Sequence, residues 1–154
     1  MKLKNILLAE DSPMDVELTL EALQEHHNIT VVEDGEAALD YLYRRGAYAS
    51  RDPGNPDLIL LDLKLPKLNG LQVLEQIKKC ELLRTVPVVV LTSSKEQPDL
   101  KTAYELGANA YVVKPVVFDQ FMEAVRQIGR FWAGLNETPP ANFGEDTHLG
   151  SGSP

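Results

Sequence analysis

Four short apolar runs in this sequence each end on polar residues that could bind or transfer a phosphoryl group. The first run ends at Glu10 and Asp11, the second at Asp62, the third at Thr92 and the fourth at Lys114. If the runs are parallel strands of one sheet, their carboxyl ends lie together at the edge where open α/β sheets bind ligands. The sequence therefore predicts one site that combines three carboxylates, a hydroxyl and an ammonium group.

The acidic residues at this predicted edge are suited to Mg²⁺. Asp11 and Asp62 would repel each other, and a hard dication relieves that repulsion while retaining waters and a phosphate oxygen as further ligands. Glu10 can add charge or hold a metal-bound water, and a backbone carbonyl just after Asp62 can complete the protein ligands. One oxygen of Asp62 then stays free to attack phosphorus, which makes Asp62 the candidate covalent acceptor.

The remaining residues supply what phosphoryl transfer needs besides a nucleophile, namely alignment and positive charge on the equatorial oxygens. Lys114 provides a point charge on a flexible stem, and the Thr92 hydroxyl can donate a hydrogen bond to another oxygen. Pro115 restricts the backbone beside Lys114. Each residue alone has an ordinary interpretation as a cap, turn or surface residue, so only the combination indicates a site.

Strand-like runs alternate with helical patterns along the chain, which favours βαβ units and a parallel sheet. We expect strands at about 4–9, 29–33, 57–62, 86–91 and 110–113. We expect helices from about residue 13 and at about 36–45, 70–80, 98–107 and 117–133. Ser12 can cap the first helix, and Asp15 stands three residues after it, where a capping box has its second member.

Right-handed crossovers between these elements give an α/β, doubly wound, five-stranded parallel sheet with five helices, a flavodoxin-like three-layer sandwich. The expected strand order is 2-1-3-4-5, which places Asp11 next to Asp62. We expect one domain over residues 1–135, followed by a partly disordered tail over 136–154 with no output domain.

Composition excludes several classes of function. The chain has 154 residues, 44% of them hydrophobic, and its apolar stretches are too short to span a membrane. A net charge of −8 disfavours nucleic acid binding. The single cysteine, Cys80, cannot form an internal disulfide, and no signal peptide precedes the first strand. We therefore expect a cytoplasmic protein that binds neither nucleic acid nor membranes.

The last predicted helix has an apolar face wider than one core contact requires. Its apolar residues continue past the expected end of the core to Phe131, Trp132 and Leu135. This excess predicts a homodimer that forms through helix 5 and the tail.

These motifs together resemble the receiver domain of two-component response regulators, over about residues 4 to 130. The resemblance rests on four segments: Glu10-Asp11, residues 60–66 with Gly70, residues 91–93, and Lys114-Pro115. It implies that Asp62 accepts a phosphoryl group from a phosphohistidine on a sensor histidine kinase. It also implies that Mg²⁺ is held by Glu10, Asp11, Asp62 and the backbone carbonyl of Lys64.

The resemblance further implies roles in switching. Thr92 and Lys114 match the switch and phosphate-binding positions of the family, with Pro115 helping to orient Lys114. Tyr111, three residues before Lys114, matches the family's aromatic switch position. Phosphorylation would draw Thr92 inward, let Tyr111 turn into the vacated space and change the surface formed by helix 4, strand 5 and helix 5.

A closer likeness exists within the family. The long loop containing Tyr48 and Ala49, the segment 56–63 and the pair Phe131-Trp132 look like the stand-alone regulators that partner bacterial phytochromes. Only a tail too short for a DNA-binding module is expected after the last helix, so we expect output through protein contact or phosphorelay. The likeness also implies a phosphoacceptor rather than an enzyme, one that supports its own Mg²⁺-dependent phosphotransfer and dephosphorylation.

Three other functions fit parts of the pattern. A phosphatase with Asp62 as its nucleophile would resemble haloacid dehalogenases, but Lys64 stands where those enzymes place a second aspartate. A flavodoxin-like cofactor binder would need a phosphate loop after strand 1, where Glu10 and Asp11 would repel phosphate. A receiver-like scaffold that is never phosphorylated remains the third alternative, although the acceptor set is intact.

Overall fold

The computed structural model describes residues 3–140 and contains a five-stranded parallel sheet with helices on both faces. The strand order is β2-β1-β3-β4-β5, as the sequence predicts. Most of the expected tail, residues 141–154, lies outside the described residues, so its expected disorder remains a prediction. None of the helices between residues 3 and 140 has the length and apolar content needed to span a bilayer.

The elements follow the predicted order, and their bounds differ from the expected ones by at most two residues, except that α5 ends five residues earlier than expected. The strands are β1 (Asn5–Ala9), β2 (Asn28–Val32), β3 (Leu58–Leu61), β4 (Val88–Thr92) and β5 (Ala110–Val113). The helices are α1 (Pro13–Leu23), α2 (Gly35–Tyr43), α3 (Gly70–Lys79), α4 (Gln97–Glu105) and α5 (Phe118–Ile128). A short 3₁₀ turn, Gly46–Tyr48, begins the long loop before β3.

The central strands are buried on both faces, which is why they read as unbroken apolar runs. Every residue of β3 and β4 is buried. One apolar core lies between the sheet and helices α2, α3 and α4, and a second lies between the sheet and helices α1 and α5. Parallel strands covered on both faces have this sequence pattern.

Backbone hydrogen bonds continue past the strand ends and fix the residues of the predicted site. The N–H of Glu10 donates to the Val32 carbonyl at 3.0 Å, and the N–H of Asp62 donates to the Ala9 carbonyl at 3.1 Å. On the other side of the sheet, the N–H of Lys114 donates to the Thr92 carbonyl at 2.7 Å. The main chain at these three positions is therefore held as firmly as a strand.

The first helix begins differently from the expected capping box. The Ser12 hydroxyl accepts a hydrogen bond from the N–H of Asp15, at 3.4 Å, as predicted. The reciprocal bond is not made, because the N–H of Ser12 donates to Glu10 Oε1 at 3.1 Å. The Asp15 carboxylate is therefore free to bind another group.

The predicted helix at 117–133 is regular only to Ile128 and continues as a π-helical segment over Gly129–Leu135. At the change of winding the helix approaches α1 closely, since a Cβ on Gly129 would lie 2.6 Å from Leu23 Cδ2. Trp132 packs against the core, whereas Phe131 and Leu135 are 47% and 74% exposed.

The start of α3 packs directly on the end of β3, and Gly70 makes this possible. A Cβ on Gly70 would lie 2.2 Å from the carbonyl oxygen of Asp62 and 2.6 Å from Leu63 Cα. Both neighbours are backbone atoms that cannot turn aside, so the absence of a side chain at Gly70 fixes the approach of α3 to Asp62.

We therefore expect Gly70→Ala to lower the free energy of unfolding by about 1–3 kcal/mol, as overpacking does in other cores. Urea denaturation would measure the loss. Gly134→Ala is the control, because the nearest atom to its added Cβ would be 3.7 Å away, at ordinary contact distance. Equal stability of the two variants would contradict this account of Gly70.

Candidate functional site

Three carboxylates meet at the carboxyl edge of the sheet. Ligand oxygens of Glu10, Asp11 and Asp62 all lie within 4.8 Å of one another. Because Ala9 pairs with Leu61 in the β1–β3 register, the direct neighbour of Asp62 is Glu10, and Asp11 lies one residue beyond it. Glu10 and Asp62 are only 2% and 6% exposed, whereas Asp11 is open to solvent.

The Lys114 ammonium lies among these acids and is bound by three carboxylates. Its Nζ is 2.5 Å from Glu10 Oε2, 2.7 Å from Asp15 Oδ2 and 2.8 Å from Asp62 Oδ2. An ammonium group has three donors, so all three are engaged. The Lys114 side chain is only 8% exposed, which removes most of the water that would otherwise compete for these bonds.

Burial and charge act in opposite directions on this lysine. Burial alone would lower the pKa of Lys114, but the hydrogen bonds that its ammonium donates to Asp15, Asp62 and Glu10 outweigh burial and raise the pKa above its ordinary value. The lysine is therefore firmly protonated, and the site contains a permanent positive charge.

Negative charge is still in excess at this edge, because three carboxylates contact one ammonium. Burial, with a further contribution from the charge of Asp62, raises the pKa of Glu10 to about 7, even though Lys114 and the N–H of Ser12 donate hydrogen bonds to it. One ammonium cannot balance the surrounding carboxylates. An all-oxygen donor set with unbalanced negative charge fits a hard dication such as Mg²⁺.

Lys64 and Pro115 flank this cluster. The N–H of Lys64 donates to Asp62 Oδ1 at 3.2 Å, so one oxygen of Asp62 faces the following loop and the other faces Lys114. Pro115 directly follows Lys114 and is half-buried.

Thr92 and Tyr111 both contact the loop after β4, through Ser94. Thr92 is fully buried, and its hydroxyl accepts a hydrogen bond from the N–H of Ser94 at 3.4 Å. The Tyr111 hydroxyl donates to the Ser94 carbonyl at 3.0 Å. The Ser94 hydroxyl in turn donates to Asp99 Oδ2, in the first turn of α4, at 2.6 Å. Ser94 therefore connects both predicted switch positions to α4.

Asp15 also belongs to this site, although the sequence pattern does not indicate it. The motif around Ser12 assigned it to a helix cap, and its actual partner, Lys114, is 99 residues away. Its position contained one usable signal, since Asp15 lies in the first turn of the helix that starts at the predicted edge.

Residues 6–126 match the family model described as the response regulator receiver domain. The chain belongs to this family. Receiver domains accept phosphoryl groups from sensor histidine kinases, bind Mg²⁺ or Mn²⁺ at an acidic site, and are phosphoacceptors rather than enzymes. The expected family and fold are therefore confirmed.

The comparisons also confirm the likeness to phytochrome-linked regulators. The response regulator Rcp1 of Synechocystis sp. is 39% identical over 141 residues, 90% of this chain and 95% of Rcp1. The structure of the phosphorylated cyanobacterial phytochrome response regulator RcpA is 39% identical, with a TM-score of 0.85, covering 90% of this chain and 100% of RcpA. The bacteriophytochrome response regulator RtBRR is 52% identical, with a TM-score of 0.71, over 97% and 90% of the two chains.

A Mn²⁺-bound form of Rcp1 is among the similar structures. It is 38% identical to this chain, with a TM-score of 0.84, and covers 89% of this chain and 99% of Rcp1. The acidic cluster of Glu10, Asp11 and Asp62 is consistent with divalent metal binding at this edge.

We expect Lys114→Met to destabilise the metal-free protein by about 3 kcal/mol, because it leaves buried carboxylates without their shared cation. Urea denaturation in the presence of a chelator would measure the loss. Lys79→Met is the matched control, since Lys79 forms an exposed pair with Glu75 at 3.1 Å and should change stability by less than about 1 kcal/mol. A Lys114 variant as stable as this control would show that the ammonium is not the main counter-charge.

Proposed function

We propose that this receiver domain accepts a phosphoryl group on Asp62 from the phosphohistidine of a phytochrome-type sensor histidine kinase. The geometry of Asp62 is the main support, because this carboxylate is buried at the sheet edge with one oxygen 2.8 Å from the Lys114 ammonium. The similarity to RcpA and RtBRR supports the choice of kinase class.

In the proposed transfer, Asp62 Oδ2 forms a bond to phosphorus while the bond from phosphorus to the histidine nitrogen breaks. The electron pair of the broken bond stays on that nitrogen. Lys114 already contacts the attacking oxygen, so a short shift of its ammonium places it against an oxygen of the incoming group. The positive charge then faces the oxygens on which negative charge is spread in the transition state.

The ion we propose for this site is Mg²⁺, held by Glu10, Asp11, Asp62 and the backbone carbonyl of Lys64. When bound, it supplies positive charge that offsets the repulsion between these carboxylates and the phosphoryl group. The all-oxygen donor set, with ligand oxygens of Glu10, Asp11 and Asp62 within 4.8 Å of one another, supports this assignment.

Output is proposed to pass through Ser94. The Thr92 hydroxyl accepts a hydrogen bond from the N–H of Ser94. Movement of Thr92 toward the phosphoryl group would therefore pull on Ser94. Ser94 is also bonded to Tyr111 and to Asp99 at the start of α4, so the displacement reaches α4 and β5 together. We propose that partner proteins read this change by direct contact or through relay, and that water later hydrolyses the acyl phosphate at the same site.

We expect Asp62→Asn to abolish labelling of the protein by acetyl phosphate and Mg²⁺, because the amide cannot act as the nucleophile. Intact-mass spectrometry would detect the hydroxylamine-sensitive phosphoryl group. Asp52→Asn is the control, since Asp52 lies near Asn5 at the amino end of β1. We expect this variant protein to be labelled to the same extent as the wild type. Labelling that persists in Asp62→Asn would end the assignment, and an unlabelled wild type would favour the scaffold alternative.

We also propose that the domain forms a homodimer through α5 and the segment that follows it. Phe131 and Leu135 support this, because they remain exposed although Trp132 and Ala133 beside them pack into the core. Covering two large apolar side chains on each protomer would remove apolar surface from water.

We expect light scattering to give a dimer mass for the wild type and a monomer mass for Phe131→Glu with Leu135→Glu, because the added charges cannot be buried unpaired. Phe118→Glu is the control, since Phe118 is 55% exposed at the opposite end of α5 and should leave the dimer intact. A wild-type protein that stays monomeric at high concentration would overturn this interface.

A further inference from the structure

Asp15 is the third carboxylate on the Lys114 ammonium, and the sequence motif assigns it no part in the reaction. Its Oδ2 is 2.7 Å from Lys114 Nζ, which is shorter than the 2.8 Å contact from the same nitrogen to Asp62. The Asp15 side chain is 25% exposed, so the contact is mostly shielded from solvent. It therefore has the length and shielding of a strong charge-assisted hydrogen bond.

Asp15 differs from the other two partners of Lys114. Glu10 and Asp62 both accept hydrogen bonds from the ammonium and are also part of the cluster of oxygens that fits a cation. Asp62 Oδ2 is also the oxygen proposed to bond to phosphorus, so its hydrogen bond from Lys114 must pass to the phosphoryl group. Asp15 is outside the cation cluster among the described residues, and its bond to Lys114 need not change.

The main chain of both residues in this contact is held in place by a hydrogen bond. The N–H of Asp15 is bound by the Ser12 hydroxyl in the first turn of α1, where Pro13 fixes the start of the helix. The N–H of Lys114 is bound by the Thr92 carbonyl at the end of β4. An otherwise flexible lysine stem is thus held by a fixed acceptor on a different element.

We propose that Asp15 is a positioning residue, which anchors the Lys114 ammonium while its other bonds are exchanged during phosphoryl transfer. This inference rests on the proposed function. With the anchor, the ammonium turns about a fixed hydrogen bond from Asp62 Oδ2 to the phosphoryl oxygen. Without it, the stem samples other rotamers, and a smaller fraction of molecules has the charge in place when the donor arrives.

The alternative is that Asp15 only stabilises the fold through its ion pair. Stability would then fall in a variant, but the chemistry of correctly folded molecules would not. Rate constants at saturating phosphodonor, Mg²⁺ affinity and the mobility of Lys114 separate these two roles.

The test compares Asp15→Ala, Asp15→Asn and the control Glu17→Ala in otherwise full-length protein. Glu17 is exposed on the same helix two residues away, so the control removes an equal charge without touching Lys114. Phosphorylation is followed across a series of acetyl phosphate concentrations at saturating Mg²⁺. Mg²⁺ affinity is measured by calorimetry, and NMR relaxation reports the motion of the Lys114 side chain at saturating Mg²⁺, where the cation competes for Glu10 and Asp62.

We expect Asp15→Ala to lower the rate constant at saturating phosphodonor by about tenfold, the size of one hydrogen bond to a charged group. Asp15→Asn should recover part of the rate, because its amide oxygen still accepts a hydrogen bond. Mg²⁺ affinity should change by less than about threefold, which is small beside the tenfold change expected in the rate constant. The Lys114 side chain should become more mobile in Asp15→Ala, while Glu17→Ala should match the wild type throughout.

Several results would overturn the anchor. They are an Asp15→Ala variant that reacts as fast as the wild type, an Asp15→Asn variant no better than Asp15→Ala, and a rate loss matched by an equal loss of Mg²⁺ affinity. An unlabelled wild type would instead defeat the proposed function, and the NMR measurement on Lys114 would still decide whether Asp15 holds the ammonium.

Discussion

The site depends on one buried ammonium that is shared by three carboxylates. Removing Lys114, Glu10 and Asp62 from water is costly, and only close mutual pairing offsets that cost. Lys114 is 104 residues from Glu10 and 52 from Asp62 in the chain, so no local structure can form this cluster. The order of the parallel strands is what delivers these residues to the same edge.

The same edge of the sheet combines strand ends, which main-chain hydrogen bonds hold rigidly, with a loop that a few hydrogen bonds hold in place. Glu10, Asp62 and Lys114 are held by main-chain bonds that extend the sheet. Ser94 lies instead in a loop, where single hydrogen bonds connect it to Thr92 and Tyr111. In the proposed switch, a change of charge at the rigid part would act on this loop while the main-chain bonds of the sheet stay in place.

The strands, their order and the meeting of Glu10, Asp62 and Lys114 at one edge were predictable because buried parallel strands are unbroken apolar runs, each ending on a polar residue. Asp15 was not, since Ser12 explains its position locally and its partner is distant in sequence. The change from α- to π-helical winding at Gly129 was also missed, because in so short a segment the two kinds of helix have similar spacing of apolar residues. Local pattern identifies what lies at a strand end, and tertiary contacts decide which side chains meet there.

The excess of negative charge also explains how the site can both hold and release Lys114. Glu10 and Asp62 are within reach of the ammonium and also belong to the oxygen cluster that fits a dication, so two cations compete for the same oxygens. Any charge that the cluster gains from a bound cation weakens its hold on Lys114. In the proposed reaction, the ammonium would retain its bond to Asp15 and become available to a phosphoryl oxygen. A surplus of carboxylates that would only destabilise an inert fold thus fits the proposed movement of the Lys114 ammonium from Asp62 to the phosphoryl group.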